Sequence, residues 1–598
     1  MTERVVAAID FGTHGTGYAW AVIDPRVTSR ARMDINDRTQ WDDDNGILYP
    51  KTRTALLLRG GEVDSWGHSA VREHQERMLL RARADRERAR RGQVGEAPES
   101  DGEEAYYQGM KMSLRSPDDP ARRGRIAVDD GLEDPAAVIA KFLREIVTVA
   151  VEDITSKGIF DASQIRWCLT VPAIWDDWAK AQMRTAAIAA GLPDDRSRLL
   201  LLPEPDAAAL YCDVTAAGAG GGTPGTGTAW RPGMRFVVVD CGGGTVDLVS
   251  YRVDRNGGYR QLCVPTGGPY GAEYTTRAFL QDSLSKRFGR QVNLEELERT
   301  HWAQIREILL GWEQGRNRFR AEKQGSPLII QIPYALFRSL GPDMVRHLEE
   351  SQPIKTAEML VLDPAEVRGL LDTSVDQVIA CVEEQLDQWD PPPDPGAGDA
   401  LFLVGGFAQS PYLRERVRDR FGERLPVRVA QRPERAVLFG AVHYCYNPTL
   451  LRARRAKYTY GCGMCKKFVR GDPREHLEII DGEKWCTTRF KKFVTANQEV
   501  PVDHEVRETF LPTRKEQDAV RFDLYSTYDH SPRYITDPGV KKVGTLSISL
   551  RGAMHLPRDQ RRVILCMTFG QGDVQVRAVN AHTGTEATTS IEFESVRI

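Results

Sequence analysis

The sequence predicts two kinds of structure in one chain, an α/β region over about residues 1–450 and an all-β region over 451–598. Three observations predict it. Short apolar runs ending on Gly or Asp alternate with helix-length patterns as far as about Cys445. Two stretches, AAIDFGTHGTGYAWAVI near residue 10 and FVVVDCGGGTVDLVSY near residue 240, share one grammar of strand, Asp, Gly-rich turn and strand. After about Leu451 the texture changes to short alternating runs such as VRFDLYS, GTLSISL, RVILCMTF and VQVRAVNA, separated by Gly, Pro, Asp and Asn.

The 598 residues exceed what one hydrophobic core usually serves, and an apolar fraction of 41% is enough to build several. Lys and Arg total 81 against 84 for Asp and Glu, a formal net charge of -3, so no basic field suggests a nucleic acid partner. The apolar run before Asp10 is too short for a signal-peptide core, and no segment approaches the 18 or so apolar residues of a membrane span. A soluble, cytoplasmic protein is expected. Ten scattered cysteines suit reduced thiols. Cys462 and Cys465 form a lone CxxC pair, to be read as buried or surface thiols or, less readily, as half of a zinc site.

Taken in order, Val5 to Asp10, Ile165 to Val171, Phe236 to Asp240 and Leu401 to Val404 read as buried strands. Between the first two, Asp134 caps and Pro135 opens a helix in which Val138, Ile139, Phe142, Leu143, Ile146 and Val147 repeat at helical spacing before Gly158. Another helix follows Pro172, with Asp176 as cap and Gly191 as stop. Arg81 to Tyr107 reads as a solvated surface excursion, Thr215 to Thr228 as a flexible Gly-rich loop, and Pro391 to Asp399 as a stiff connector. The boundary with the β region falls in the basic segment LLRARRAK, Leu450 to Lys457.

The glycine turns carry the candidate chemistry. Gly242, Gly243 and Gly244 permit unusual backbone angles and let N–H groups approach a phosphate, and Thr245 adds a hydroxyl. Asp240, at the strand end, suits a hydrated magnesium ion or an oriented water. Alone, such a turn is more often a plain hairpin. Here Asp10, Gly12, Thr13, His14 and Gly15 repeat it, which predicts two phosphate-gripping hairpins facing each other across a cleft. A third element, LFLVGGFAQSPYLRERV, ends a strand at Gly405 and Gly406, where a nucleoside can lie flat on the turn.

In this order the three motifs resemble the superfamily of actin, the sugar kinases and the seventy-kilodalton heat-shock ATPases. That implies a two-lobed actin-like (ribonuclease H-like) ATPase domain over 1–450: lobe I at about 1–210 with a return helix at about 434–447, and lobe II at about 235–430. The segments LTVPAIWDDWAKAQMRTAAIAAGL, LLPEPDAAALYC, TGGPYGAEYTTRAF and RPERAVLFGAV narrow the likeness to the heat-shock ATPases. IRWCLTVPAIW, DCGGGTVDL, GGPYG, LFLVGGFA, KFV, DGEKWC and YITDPGVKK resemble the divergent branch typified by vertebrate heat-shock protein family member twelve, across nearly the whole chain.

The resemblance implies ATP or ADP with Mg2+. By it, Asp10 and Asp240 organise magnesium through water and Glu204 assists. Gly12 to Gly15 and Gly242 to Thr245 hold the phosphates, Gly271 and Glu273 of the lobe-two glycine loop belong to the nucleotide site, and Glu313, Arg316, Gly405 and Gly406 cradle the nucleoside. Pro172 is the interlobe switch. Departures stand beside these roles. His14 replaces the family's usual Thr or Ser, as a tolerated change or a pH-sensitive phosphate contact. The basic pair of the adenosine pocket appears as Arg316 and Asn317, so one cation is missing. Lys111, in QGMKMSL, is the candidate catalytic lysine or else a surface lysine. The β region is expected to bind a client or partner protein without a helical lid, with co-chaperones among the implied partners. The expected function is an ATP-binding, ATP-hydrolysing chaperone-like protein. The alternatives are a nucleotide-gated scaffold with little hydrolysis and, less favoured, a sugar kinase.

Overall fold

The computed structural model describes residues 3–24, 33–41, 48–90, 104–114, 134–157, 160–219, 230–288, 301–320, 326–502, 504–569 and 574–590. Two sheets organise the first 450 residues, and each is built around the same unit. Strand Val5–Phe11 pairs antiparallel with Gly15–Val22 and parallel with Ile165–Val171, which in turn pairs with Leu199–Pro203. Strand Arg235–Cys241 pairs antiparallel with Val246–Val253 and parallel with Ala400–Val404. The registers correspond: Asp10 lies opposite Gly17, and Asp240 opposite Asp247. Both units are apolar on both faces because helices cover both sides of each sheet.

Alternate residues of each strand enter different cores. Val5, Ala7 and Ile9 face one cluster with helix Pro135–Ser156, and Val237 and Val239 face another with helix Pro364–Asp387. Val6, Ala8, Phe236 and Val238 share a third, between the sheets, filled by helices Glu204–Ala219 and Ala436–Tyr446. These two helices cross so closely at Gly440 that a Cβ there would stand 1.7 Å from the carbonyl oxygen of Ala207. The expected caps are present: Asp134 accepts from the Ala136 amide, Asp176 accepts from the Ala179 amide, and Gly191 takes a left-handed φ of 102° after the second helix.

From Thr459 to Ser590 the described residues form strands and short 3-10 turns. Leu477–Ile480, Glu483–Val494, Thr459–Lys467, Ala519–Thr527 and Lys541–Ser549 make one antiparallel sheet. His504–Phe510, Val563–Phe569, Val574–Asn580 and Glu586–Ser590 make a second, with Cys462, Phe522, Leu524, Val563 and Leu565 in the core between them. Cys462 is thus a core thiol, whereas Cys465 is half-buried. No helix of the described residues is long and apolar enough to cross a membrane.

Four sequence readings need correction. The segment read as the boundary, Leu450 to Lys457, contains strand Leu451–Arg455, which pairs with Tyr259–Gln261 of the second sheet and with Glu499–Pro501. Its arginines mask a strand whose Leu451 and Ala453 are buried. The surface excursion is half structured: Arg81 belongs to helix Gly67–Arg90, Glu104–Gln108 is a strand pairing with Ala55–Arg59, and Arg77 and Arg81 both pair with Glu104. Residues 91–103 lie outside the described residues. Thr215 continues the helix Glu204–Ala219, and residues 220–228 of that loop are likewise outside. The Pro391–Asp399 connector is an anchor, since Asp399 is fully buried and Arg235 Nη2 stands 2.5 Å from its Oδ2.

Candidate functional site

The two hairpins meet. A Cβ on Gly243 would fall 2.4 Å from His14 Nδ1, and one on Gly244 would fall 2.7 Å from Thr13 Oγ1, so the turns touch only because glycine stands there. Each turn is closed in the same way, by Gly12 N–H to Gly15 O at 3.2 Å and by Gly242 N–H to Thr245 O at 2.9 Å. The carbonyls of the second turn are held from behind: Gly242, Gly243 and Gly244 accept from the amides of Ala272, Glu273 and Gly271. Thr54 does the same for the first turn, through its hydroxyl to Gly12 O at 2.7 Å and its amide to His14 O at 3.1 Å. In a trans peptide the N–H points opposite to the C=O. The amides of Thr13, Gly15, Gly243, Gly244 and Thr245 are therefore directed away from these anchors, on residues that all line the same cleft. Such a concave array of N–H groups receives an anion.

That space is a cleft of about 450 Å³. Of the residues singled out in the sequence it is lined by Asp10, Gly12 to Gly15, Lys111, Glu204, Asp240, Gly242 to Thr245, Glu273, Glu313, Arg316, Gly405 and Gly406. Gly405, at φ 86°, lets the third strand end pass the carboxyl of Asp240, which its Cβ would meet at 2.4 Å. Phe407, Pro433 and Val437 add an apolar wall beside Gly405 and Gly406.

The floor is acidic and buried. Asp10 accepts from the Thr170 hydroxyl at 3.1 Å and pairs with Lys51 at 2.5 Å. Glu204 pairs with Lys111, and Asp247 accepts from the Ile174 amide at 3.0 Å. Burial, then Glu204, Asp247 and Asp10, push the Asp240 carboxyl well above the usual carboxylate range. Burial lifts Glu204 to about 7 even though Lys111 opposes it. Burial alone would lower Lys51, but Asp10 and its neighbours hold it above an ordinary lysine. Burial likewise pushes His14 down, against Glu273, whose carboxylate stands 3.9 Å from Nε2.

Over 658 aligned positions, covering 99% of this chain and 91% of the relative, the chain is 31% identical to Heat shock 70 kDa protein 12B from Homo sapiens. The chain belongs to the heat shock 70 kDa protein family. It is 28% identical to Heat shock 70 kDa protein 12A from Mus musculus, over 99% of this chain and 92% of that one. It is 25% identical to Heat shock 70 kDa protein BIP3 from Oryza sativa subsp. japonica, over 48% of this chain and 36% of that one. No family model matches the chain. The likeness is thus to the divergent branch of the heat shock 70 kDa family, over nearly the full length.

Within this member of the family some predicted residues sit differently from expectation. Gly271 lies behind the second turn, where a Cβ would stand 2.4 Å from Gly243 O. Arg316 is buried and gives Nη1 to Ala272 O at 2.6 Å and to the hydroxyls of Thr275 and Thr276, so it braces the helix beneath the turn as well as lining the cleft. Lys111 is no surface lysine; it is 3% exposed. Pro172 stays outside the cleft, two residues before Ile174. Sequence reasoning missed Lys51, Arg53, His68, Tyr49 and Gln409, all of which line the cleft. For Lys51 the only signal is its place beside Thr52 and Arg53, which pair with Thr16 and Gly15.

Proposed function

We propose that the cleft binds ATP and ADP, with the phosphates on the two amide-lined turns and the nucleoside against Gly405, Gly406 and Phe407. The observation that carries this reading is the tethering of both turns' carbonyls, which leaves their amides pointing away from the tethers on residues that line one cleft. Amides fixed in advance stabilise charge on a phosphoryl group without reorganising. Burial keeps Asp240 and Glu204 ready to accept or hold a proton near the phosphates, which suits them to orient an attacking water. Asp10 and Asp240 would hold a magnesium ion through water, with Lys51 standing 2.5 Å from Asp10 Oδ2 beside that place. When bound, that ion would neutralise the phosphates.

We further infer that nucleotide state changes the angle between the lobes and so biases the C-terminal sheets, which act as a chaperone-like surface for a client or partner protein. A second reading, a nucleotide-gated scaffold with little hydrolysis, is favoured by one observation: two of the acids already carry ammonium partners.

Calorimetry with ATP and ADP tests binding, and single-turnover phosphate release by the natural chain and by Asp240→Asn separates the two readings. Release that Asp240→Asn abolishes while binding persists supports the ATPase. Tight binding with no release over hours supports the scaffold, and absence of binding refutes both.

A further inference from the structure

Lys51 is placed by packing rather than by chance. Strand Thr52–Arg53 pairs with the first hairpin at Gly15 and Thr16, which pins the preceding residue beside the turn. The lysine stem then crosses two glycines. A Cβ on Gly15 would stand 3.3 Å from Lys51 Cβ, and one on Gly17 would stand 3.1 Å from Lys51 Cγ and 2.2 Å from Pro50 O. The ammonium ends 2.5 Å from Asp10 Oδ2, with side-chain exposures of 18% for the lysine and 3% for the acid.

Asp10 accepts a hydrogen bond from Thr170 at Oδ1, and its Oδ2, which has no hydrogen-bond partner among the described residues, is ion-paired with Lys51. Glu204 is engaged by Lys111. Among the described residues no group of three or more His, Cys, Asp or Glu side chains is arranged to hold a metal ion. A hydrated magnesium ion needs only one or two carboxylates, but beside Asp10 Oδ2 the Lys51 ammonium already stands where such a charge would act, and it fits the same electrostatic task. A bare Asp10 would repel phosphates arriving at the adjacent turn, and a paired one does not. Lys51 keeps further N–H donors, and it lines the cleft beside Gly12 to Gly15.

We propose that Lys51 takes the charge-neutralising place between Asp10 and the phosphates that a divalent cation would otherwise fill, so that nucleoside di- and triphosphates bind in this cleft without a divalent metal. The inference rests on the nucleotide-binding reading above. A Lys carrying this task acts as a point charge for phosphate, and removing it costs one charged contact, about 10- to 100-fold in affinity.

The test is calorimetric titration of the full chain with ATP and with ADP, in excess magnesium and in EDTA, for the natural protein and for Lys51→Met. The natural protein is expected to bind within about threefold under the two conditions. Lys51→Met is expected to lose about 10- to 100-fold in EDTA and to regain part of it with magnesium, once Asp10 is free. Binding by the natural protein that vanishes in EDTA overturns the inference while leaving the nucleotide reading intact. So does a folded Lys51→Met that binds normally in EDTA. No binding under either condition overturns the nucleotide reading itself and this inference with it. The comparison on the natural protein decides the matter even where Lys51→Met does not fold.

Discussion

Removing the ammonium of Lys111 is the perturbation whose size the structure defines best. Lys111 and Glu204 form a buried pair, with side chains 4% and 11% exposed, and the lysine sits 5.9 Å from the Trp175 ring centre. Breaking such a pair from one side costs about 3–5 kcal/mol when the stranded charge stays ionised. Glu204 has an exit, because it titrates at about 7 even with Lys111 beside it. A carboxyl raised above its usual 4.5 adds stability that is fully present below pH 4.5 and lost as pH rises through 7. In Lys111→Met the carboxyl, left with Asp10 and Asp247, moves higher still, and each further unit costs about 1.4 kcal/mol once the pH exceeds both values. The gap between natural protein and variant should accordingly be about 1 kcal/mol at pH 5 and open to about 2–3 kcal/mol at pH 8.5. Urea unfolding followed by tryptophan fluorescence at the two pH values reads this directly. The double variant Lys111→Met/Glu204→Leu, which strands no charge, should recover at least half of the loss at pH 8.5. A gap independent of pH, or a double variant no more stable than Lys111→Met, refutes the reasoning.

Three other outcomes follow, two from close contacts and one from a buried amine. Gly271→Val drives a side chain into Gly243 O and should weaken ATP and ADP binding at least about tenfold by calorimetry, with far-UV circular dichroism unchanged. Gly440→Val meets the Ala207 carbonyl and should lower stability by about 1–3 kcal/mol or more in urea, as overpacking does. Burial pushes the Lys457 ammonium down to about 8. A base depressed from its usual 10.5 costs stability below pH 8 and releases that cost as pH rises to 10.5, so the natural protein should gain on Lys457→Met by about 1–3 kcal/mol between pH 8 and 10. A flat difference over that range would show that the amine is hydrated.

What was legible in the sequence was whatever depends on local backbone geometry. The turns at Gly12 to Gly15 and Gly242 to Thr245 announce themselves because only short side chains permit two hairpins to touch. Asp134 with Pro135, and Asp176, mark helix starts because capping is a contact within one turn. The charges that complete the cleft were legible only in part, for a physical reason. Lys111 could be named as a candidate, but not told apart from a surface lysine, and Lys51 was missed altogether: both are polar residues in short irregular segments that become interior only when strands distant in sequence bring them to Glu204 and Asp10. Nothing local distinguishes such a lysine from a solvated one. The strand Leu451–Arg455 failed for a related reason. Its arginines find Asp206 and Glu499, partners set by tertiary structure, so a basic run that reads as a linker is a paired strand.

That strand changes how the two halves of the chain can communicate on the proposed reading. Ile174 is held from both sides: its amide donates to Asp247 Oδ1 at 3.0 Å, and its carbonyl accepts from Lys457 Nζ at 2.9 Å. Asp247 stands opposite Asp240 across the second hairpin, and Lys457 lies two residues beyond the end of the paired strand. Nearby, Tyr460 of the first C-terminal strand donates to Asp177 Oδ2 at 2.5 Å, on the helix that begins after Pro172 and Ile174. A lobe movement that shifted Asp247 by an ångström would have to break its bond to Ile174, drag Lys457, or strain the segment fixed by Pro172. A flexible tether would absorb such a shift, whereas a hydrogen-bonded strand does not. If nucleotide moves the second lobe, the cost of holding the C-terminal sheets still is therefore the breaking of named buried contacts, and Lys457→Met is the change that should uncouple the two without touching the cleft.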